Sequence, residues 1–392
     1  MRSAALLAFT LLLTLGLPAG AVIGAIDNVP AATLLLPYFE VDLKDPQGVN
    51  TLFSINNAAA TPVLAKVVLW SDQGVAVADF NVYLTGYDVQ TISLRDILVQ
   101  GNLPVTNPVG FPTCTGHLPY VNPAISSADL AHYQAWLTGA VSPATGTCAG
   151  SDVGDGHARG YATVDTVNAC NVLFPGAQLY PTTLTHQNVL WGDWLLADRS
   201  KDIAHGDMLV HIESCPACLA PGDHTFYGSY YGGLPLDGRE PLPTTWAARY
   251  VNGGGFSGGT DLIVWREVNR PSFAYPCKQE GPSNWYPLEA AQILAFDETG
   301  LHVDPDSCGL ADPGCDQDVL IPNTTQRIHV APALETPYSF GWLYLSLQHP
   351  IPAYGDNAAQ SWVIVLMNAD SMGAGFDVLQ LDNANAPAVP LP

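Results

Sequence analysis

The segment Gly255-Phe256-Ser257-Gly258-Gly259 has the G-x-S-x-G form that presents a nucleophilic serine on a sharp strand-to-helix turn. Asp297 and His302 follow in the chain order serine, acid, histidine that such a site requires. Residues 260–265 are rich in β-branched and aromatic types, which favours a strand where the elbow needs a helix. The motif therefore reads as a Gly-rich connection between strands, and Ser257, Asp297 and His302 stand as the residues of an alternative, serine-based hydrolase. A carboxylate-based hydrolase is the other form of that alternative. Its acid pair cannot be picked from 36 Asp+Glu, because such chemistry is defined by a distance between carboxyl groups.

His211-Ile212-Glu213 followed by Cys215-Pro216-Ala217-Cys218 has parts of a zinc-deaminase signature, but the halves stand one residue apart instead of on separate elements. A small zinc site on His211, Cys215 and Cys218 competes with a local Cys215–Cys218 disulfide, and an oxidising compartment favours the disulfide. Asp304, Asp306, Asp312, Asp316 and Asp318 lie close together and enclose Cys308 and Cys315. Calcium takes six to eight hard oxygens from a flexible loop, so this stretch is the cation candidate, against a solvated acidic loop. Asp152 and Asp155, beside Gly154 and Gly156, form a weaker second one. Trp285 and Tyr286 between prolines, and Tyr230 and Tyr231 near Tyr227, offer flat rings on which a sugar could stack, unless they pack in a core.

The eight cysteines imply a disulfide framework. Closing short loops costs the least chain entropy, which pairs Cys215–Cys218 and Cys308–Cys315. Cys114–Cys148 would then close the Pro-rich insertion, leaving Cys170–Cys277 as a long bridge.

Those residues must be positioned mostly by strands. Period-two alternation at Phe80-Asn81-Val82-Tyr83-Leu84, Ile92-Ser93-Leu94-Arg95 and Arg327-Ile328-His329-Val330 predicts half-buried strands. Trp362-Val363-Ile364-Val365-Leu366 is apolar on both faces and predicts a central strand. One helix is expected after Ser126, where an S-x-x-D cap precedes Leu130, Tyr133 and Leu137 and Gly139 ends the run. An echo links residues 51–70 with residues 246–265: each reads as strand, Asn, turn, then a strand ending in Trp. The expected fold is all-β, one large or two stacked antiparallel β-sandwiches of immunoglobulin-like kind. Its segments would be 22–100, a Pro-rich insertion carrying one short helix over 101–160, further strands over 161–383, and a tail over 384–392.

Residues 1–21 read as a signal peptide: Arg2, an apolar stretch too short to span a membrane, Pro18 and a small-residue site at Ala19-Gly20-Ala21. Secretion to periplasm, surface or medium is expected, with no membrane span. Net charge of −23 disfavours nucleic acid and anionic membranes as partners.

The segments at residues 159–168, 188–194 and 258–265 resemble stretches of a group of secreted bacterial β-rich proteins to which no activity is attached. The resemblance covers most of the chain after residue 21; it implies secretion and adds nothing to chemistry. The reading of the sequence is thus a secreted, disulfide-stapled β-sandwich protein that binds or builds structure, with calcium, a glycan or another extracellular protein as candidate partners.

Overall fold

The computed structural model describes residues 29–106 and 124–267, together with shorter stretches between 273 and 385. Strand β1 (Thr33–Asp42) sets the frame, because an irregularity in it decides which side chains reach the core. Leu34 and Leu36 face one core; beyond Pro37 the parity changes, and Phe39 and Val41 face it instead. Between Leu36 and Phe39 the pairing with the neighbouring strand advances by only two residues, from Ala162 to Gly160. Pro37 has no N–H to give the ladder, so a β-bulge is tolerated there. Its consequence is that Glu40 and Asp42 point away from that core.

With strands numbered in chain order, the first sheet runs β10 (Val210–Ile212), β1, β6 (His157–Val167), β3 (Val63–Ser71), β4 (Ala76–Leu84). The second runs β5 (Val89–Ser93), β2 (Asn50–Asn57), β8 (Asp193–Asp198), β9 (Ile203–Met208), with β7 (Leu190–Trp191) also beside β2. Their facing sides share a core that includes Val67, Phe53 and Trp194. A third sheet runs β15 (His302–Val303), β14 (Ile293–Asp297), β18 (Phe340–Ser346), β11 (Thr245–Val251), β21 (Leu379–Gln380). A fourth runs β17 (Thr325–His329), β12 (Gly259–Arg266), β19 (Ser361–Asn368), β20 (Gly373–Phe376). These two share a second core that includes Trp246, Leu262, Leu343 and Val365. β13 (Leu288–Glu289) and β16 (Val319–Ile321) form a separate pair. All pairings among the described residues are antiparallel, so the fold is the expected all-β sandwich type, its strands forming two pairs of facing sheets that are called the first and second sandwich.

The sequence echo has a structural counterpart. β2 and β3 lie in different sheets, as do β11 and β12, so each pair crosses from one layer to the other. Trp70 and Trp265 end up against the same residue: Tyr161 stacks on Trp70 at 5.6 Å and meets Trp265 edge-on at 6.0 Å. Ile263, Ile364 and Leu366 also enter the first core, so the two sandwiches share packing.

Helix α1 spans Leu94–Leu98 and helix α2 spans Ser127–Leu137. The second is the expected helix: Ser126 Oγ accepts from the Asp129 amide at 3.1 Å and donates to its carboxylate at 2.7 Å. The first corrects the alternation read through residues 92–95. Strand β5 stops at Ser93, which caps the helix through the Asp96 amide. Strand β6 begins at His157 and lies centrally in the first sheet. No helix among the described residues is long and apolar enough to cross a membrane.

The cysteine pairing is corrected in part. Cys215–Cys218 forms as expected, around a 3-10 turn. Cys148 bonds Cys277 and not Cys114, which removes the Cys170–Cys277 bridge as well. The cause is tertiary: Cys148 and Tyr275 exchange backbone hydrogen bonds at 2.9 Å, and Cys277 lies two residues along the same edge. Cys170 is disulfide-bonded too. Cys114, Cys308 and Cys315 lie outside the described residues.

Candidate functional site

Across the β1–β6 ladder, Glu40 faces Arg159 and Asp42 faces His157. Residues two apart in a strand share a face, so these four side chains form one polar patch on the far side from the first core. Glu40 Oε1 takes hydrogen bonds from His157 Nδ1 and Arg159 Nη2, each at 2.7 Å. Tyr38 donates to Glu40 Oε2 at 3.0 Å. Arg159 also grips Asp155 with both terminal nitrogens. Burial acts to raise the Glu40 carboxyl, but the His157 bond and the Arg159 and Arg327 charges outweigh it and hold it at about 2. The same bond raises His157 against the effect of its partial burial. The Arg159 bond lowers Asp155 to about 2.

The second sandwich supplies a matching set. Asp261 faces His329 across the β12–β17 ladder, and Arg327 lies two residues before the histidine on the same face. Asp261 Oδ1 meets His329 Nδ1 at 2.6 Å, and Oδ2 accepts from Arg327 Nε at 2.7 Å and Asn368 Nδ2 at 3.0 Å. Because Asn368 spends its amide nitrogen on Asp261, its oxygen faces His205 Nε2 at 2.9 Å. Burial lowers His205. Burial acts to lower Arg327, but Asp261 together with Tyr38 and Glu40 outweighs it and raises it.

The two sets meet in a cleft of two lobes. One, of about 340 Å³, is lined by residues including His157, Lys201, His205 and Asn368. The other, of about 460 Å³, is lined by residues including Tyr38, Asp72, Arg159, Asn323 and Gln326. Glu40, Asp261, Arg327 and His329 belong to both. Thr325 ties the walls together by donating to the carbonyl of Pro37 in the bulge at 2.5 Å.

Exposure separates Glu40 and Asp261 from the groups they hold, while Asp155, 37% exposed, stays at the rim beside Arg159. The Glu40 and Asp261 side chains are 9% and 8% exposed, whereas Arg159, His157, Arg327 and His329 are 19%, 25%, 29% and 45% exposed. These two acids lie beneath and the cationic tips lie toward solvent. Glu40, Asp155 and His157 also have the spacing of a three-ligand metal group. That group does not suit a cation. Arg159 already occupies both carboxylates, and the His157 nitrogen is committed to Glu40.

The residues picked out by motif lie elsewhere. Ser257 is an exposed turn residue between β11 and β12, where Gly253 and Phe256 bridge each other, so the chain enters a strand and no elbow forms. Asp297 ends β14 and accepts from the Thr299 amide at 2.8 Å; His302 is in β15. His211 is buried in β10, and with Cys215 and Cys218 oxidised the zinc ligand set is gone. Asp152 receives the Gly154 amide at 3.0 Å, and its neighbour Asp155 is the Arg159 partner. Tyr230 and Tyr231 are not an open platform: both pack against the aromatic cluster around Trp70 and Tyr227. Trp285, Tyr286, Asp304, Asp306, Asp312, Asp316 and Asp318 lie outside the described residues. Of the residues in the two sets Asp155 alone was singled out from sequence, as a cation candidate; Glu40, His157, Arg159, Asp261, Arg327 and His329 were not. The available signal was a pair of strand segments, His157-Ala158-Arg159 and Arg327-Ile328-His329, in a chain with only 13 Lys+Arg. Comparison with protein-family models, curated proteins and solved structures finds no match.

Proposed function

We propose that this is a secreted binding protein whose ligand is a small anion, a carboxylate or phosphate compound, held in the cleft between the two sandwiches. The observation that carries this reading is the order of exposure: buried acids beneath, guanidinium and imidazole groups toward the cavity. Buried carboxylates fix the arginines in advance, so ordering them on binding costs little. In a chain of net charge −23, Arg159, Arg327 and Lys201 line the cleft beside Glu40, Asp72, Asp198 and Asp261, so the lining is close to balanced where the bulk is acidic. An acidic sugar or a phosphate ester meets this requirement through bidentate bonding to arginine. Secretion is supported by the leader-like first 21 residues and by the Cys148–Cys277 and Cys215–Cys218 disulfides. Calcium binding by Asp304, Asp306, Asp312, Asp316 and Asp318 is proposed separately, for that segment and not for the cleft.

The test is titration calorimetry with inorganic phosphate and with citrate, against sodium chloride of matched ionic strength. Binding should be saturable, and Arg327→Gln, which keeps a donor beside Asp261, should weaken it roughly tenfold or more, as loss of a charged hydrogen bond does. Heats no larger than those of the chloride control, for both anions, would sink the reading.

A further inference from the structure

The two histidines of the cleft are built alike. Each gives its Nδ1 to a buried carboxylate, His157 to Glu40 at 2.7 Å and His329 to Asp261 at 2.6 Å. A carboxylate on Nδ1 fixes the ring and leaves Nε2 as the working atom, a base when the ring is neutral and an acid when it is charged. Asp42 Oδ2 stands 3.5 Å from His157 Nε2, too far to fix the proton there. The charged groups facing His157 are Glu40, Asp42, Asp155 and Arg159, three acids and one cation. Asp261 faces His329 and also carries Arg327 and Asn368, as Glu40 also carries Arg159 and Tyr38, so the rings differ in the further acids Asp42 and Asp155 beside His157. The asymmetry assigns roles by placement: the ring among more acids is the proton donor, and the ring beside Asp261 is its counterpart across the lobe. The raised His157 agrees with that order. Both rings and Arg327 line the same lobe, with Lys201 on its wall.

We propose that this lobe cleaves a small phosphodiester bearing a hydroxyl on the carbon next to the ester oxygen, with His329 as general base and His157 as general acid. The proposal rests on the anion-binding reading above. His329 Nε2 takes the hydroxyl proton, and that oxygen forms a new bond to phosphorus. The opposite phosphorus–oxygen bond breaks, its electron pair stays with the leaving oxygen, and His157 Nε2–H supplies the proton. The products are a five-membered cyclic phosphodiester and an alcohol. The two rings end with exchanged protonation and reset through water. Arg327 and Lys201 face the phosphate oxygens, where negative charge grows in the transition state. Glu40 and Asp261 are positioning residues. Net charge of −23 disfavours a polyanion, so a small diester is the substrate class and not a polymer.

Such a diester has two plain sources, a ribonucleotide and a cyclitol headgroup. Purified full-length chain is therefore incubated with uridylyl-adenosine and with glycerophosphoinositol, and products are followed by phosphorus NMR. A cyclic phosphate signal in either arm supports the proposal and names the source; the 2′-deoxy dinucleotide should stay intact. His157→Asn and His329→Asn should each lower kcat/KM by roughly a hundredfold or more, the usual contribution of a general acid or base. His132→Gln, on helix α2 and hydrogen-bonded to Ser142, serves as the control that should keep activity. Activity that survives in both cleft variants comes from a contaminant and overturns the proposal. Bound phosphate without cleavage in either arm also overturns it while leaving the binding reading intact. Failure to bind phosphate or citrate removes both.

Discussion

Glu40 and Asp261 hold opposite walls of the cleft, and each is a buried carboxylate bonded to the Nδ1 of one histidine and to one arginine of the adjacent antiparallel strand. The two sets are not copies. Glu40 stands opposite its arginine in the ladder, whereas Asp261 stands opposite its histidine. What they share is the consequence: a charge that would be costly alone under a protein surface is held by an arginine and an imidazole whose outer ends remain in the cavity. Arg327 contributes to holding down Glu40, so the walls are coupled electrostatically as well as through Thr325 and Pro37.

Removing that charge should be costly. Glu40→Gln leaves Arg159 and His157 short of an anion, and breaking a buried pair from one side costs about 3–5 kcal/mol. Because the cations are partly exposed, a loss nearer 2 kcal/mol is expected by urea denaturation, as solvent takes up some of the unpaired charge. His157 should titrate at lower pH in that variant when followed by NMR, since the Glu40 bond is the main cause of its raised value. A His157 titration unchanged by Glu40→Gln would break the link between the two residues.

The fold was legible in the sequence where burial on one or both faces writes a period, as in the central β19 and the capped α2. The 92–95 stretch was misread because two alternations are as short as a strand end, and only the Ser93 cap separates it from α1. The site was hidden for a related reason. Arg327-Ile328-His329 was legible as a strand, but its polar face looked like ordinary solvent-facing alternation. Nothing local says that β17 will stand beside β1. The bulge at Pro37 hides the other half, since it turns Glu40 outward from a run whose earlier parity would bury it. Motifs that were visible, around Ser257 and Cys215, owe their residues to a turn and to a disulfide.

Peptide mapping without reduction should recover Cys148 joined to Cys277, and neither joined to Cys114 or Cys170. The bridge closes a sequence separation of 129 residues. In the chain-entropy picture that restricts the unfolded state by about 5 kcal/mol, so Cys148→Ala/Cys277→Ala should lose a few kcal/mol by denaturant titration. A loss no greater than that from Cys215→Ala/Cys218→Ala would contradict the entropic account, since the latter closes a separation of three residues.

Calcium should act through the acidic segment of Asp304 to Asp318 and not through Asp155. Millimolar calcium is expected to raise the melting temperature by ligand linkage, and Asp304→Asn/Asp306→Asn should abolish the rise. Asp155→Asn should leave the calcium-induced rise in place, because Arg159 and not a metal is the partner of Asp155. Loss of the rise in Asp155→Asn alone would move the cation site into the cleft.

Asp72 gives the cleft a pH dependence opposite in sign to that of Glu40. It sits after β3, lines the second lobe, and accepts from the Ser151 amide and Asn323 Nδ2, both at 3.0 Å. Burial raises it from 3.8 to about 7, overriding those hydrogen bonds. Below the unfolded value the group is protonated in both states and carries no penalty. As pH rises toward 7 the folded protein must either keep a proton the unfolded chain has released or bury a charge, so stability is lost across that window and then levels. At about 1.4 kcal/mol per pKa unit the effect is at most about 4 kcal/mol. Glu40, lowered from 4.5 to about 2, does the reverse in a lower window: its contribution is present above 4.5 and lost as pH falls toward 2. Asp72→Asn keeps the Asn323 contact and removes the titration, so its stability relative to the wild type should climb between about pH 4 and about pH 7 and stay constant above that. Urea denaturation of both proteins across this range isolates the effect, because every other titrating group cancels in the difference. Profiles that run parallel over the whole window would show that Asp72 is ionised in the folded protein as readily as in the unfolded chain, and would remove it as a source of pH sensitivity at the cleft.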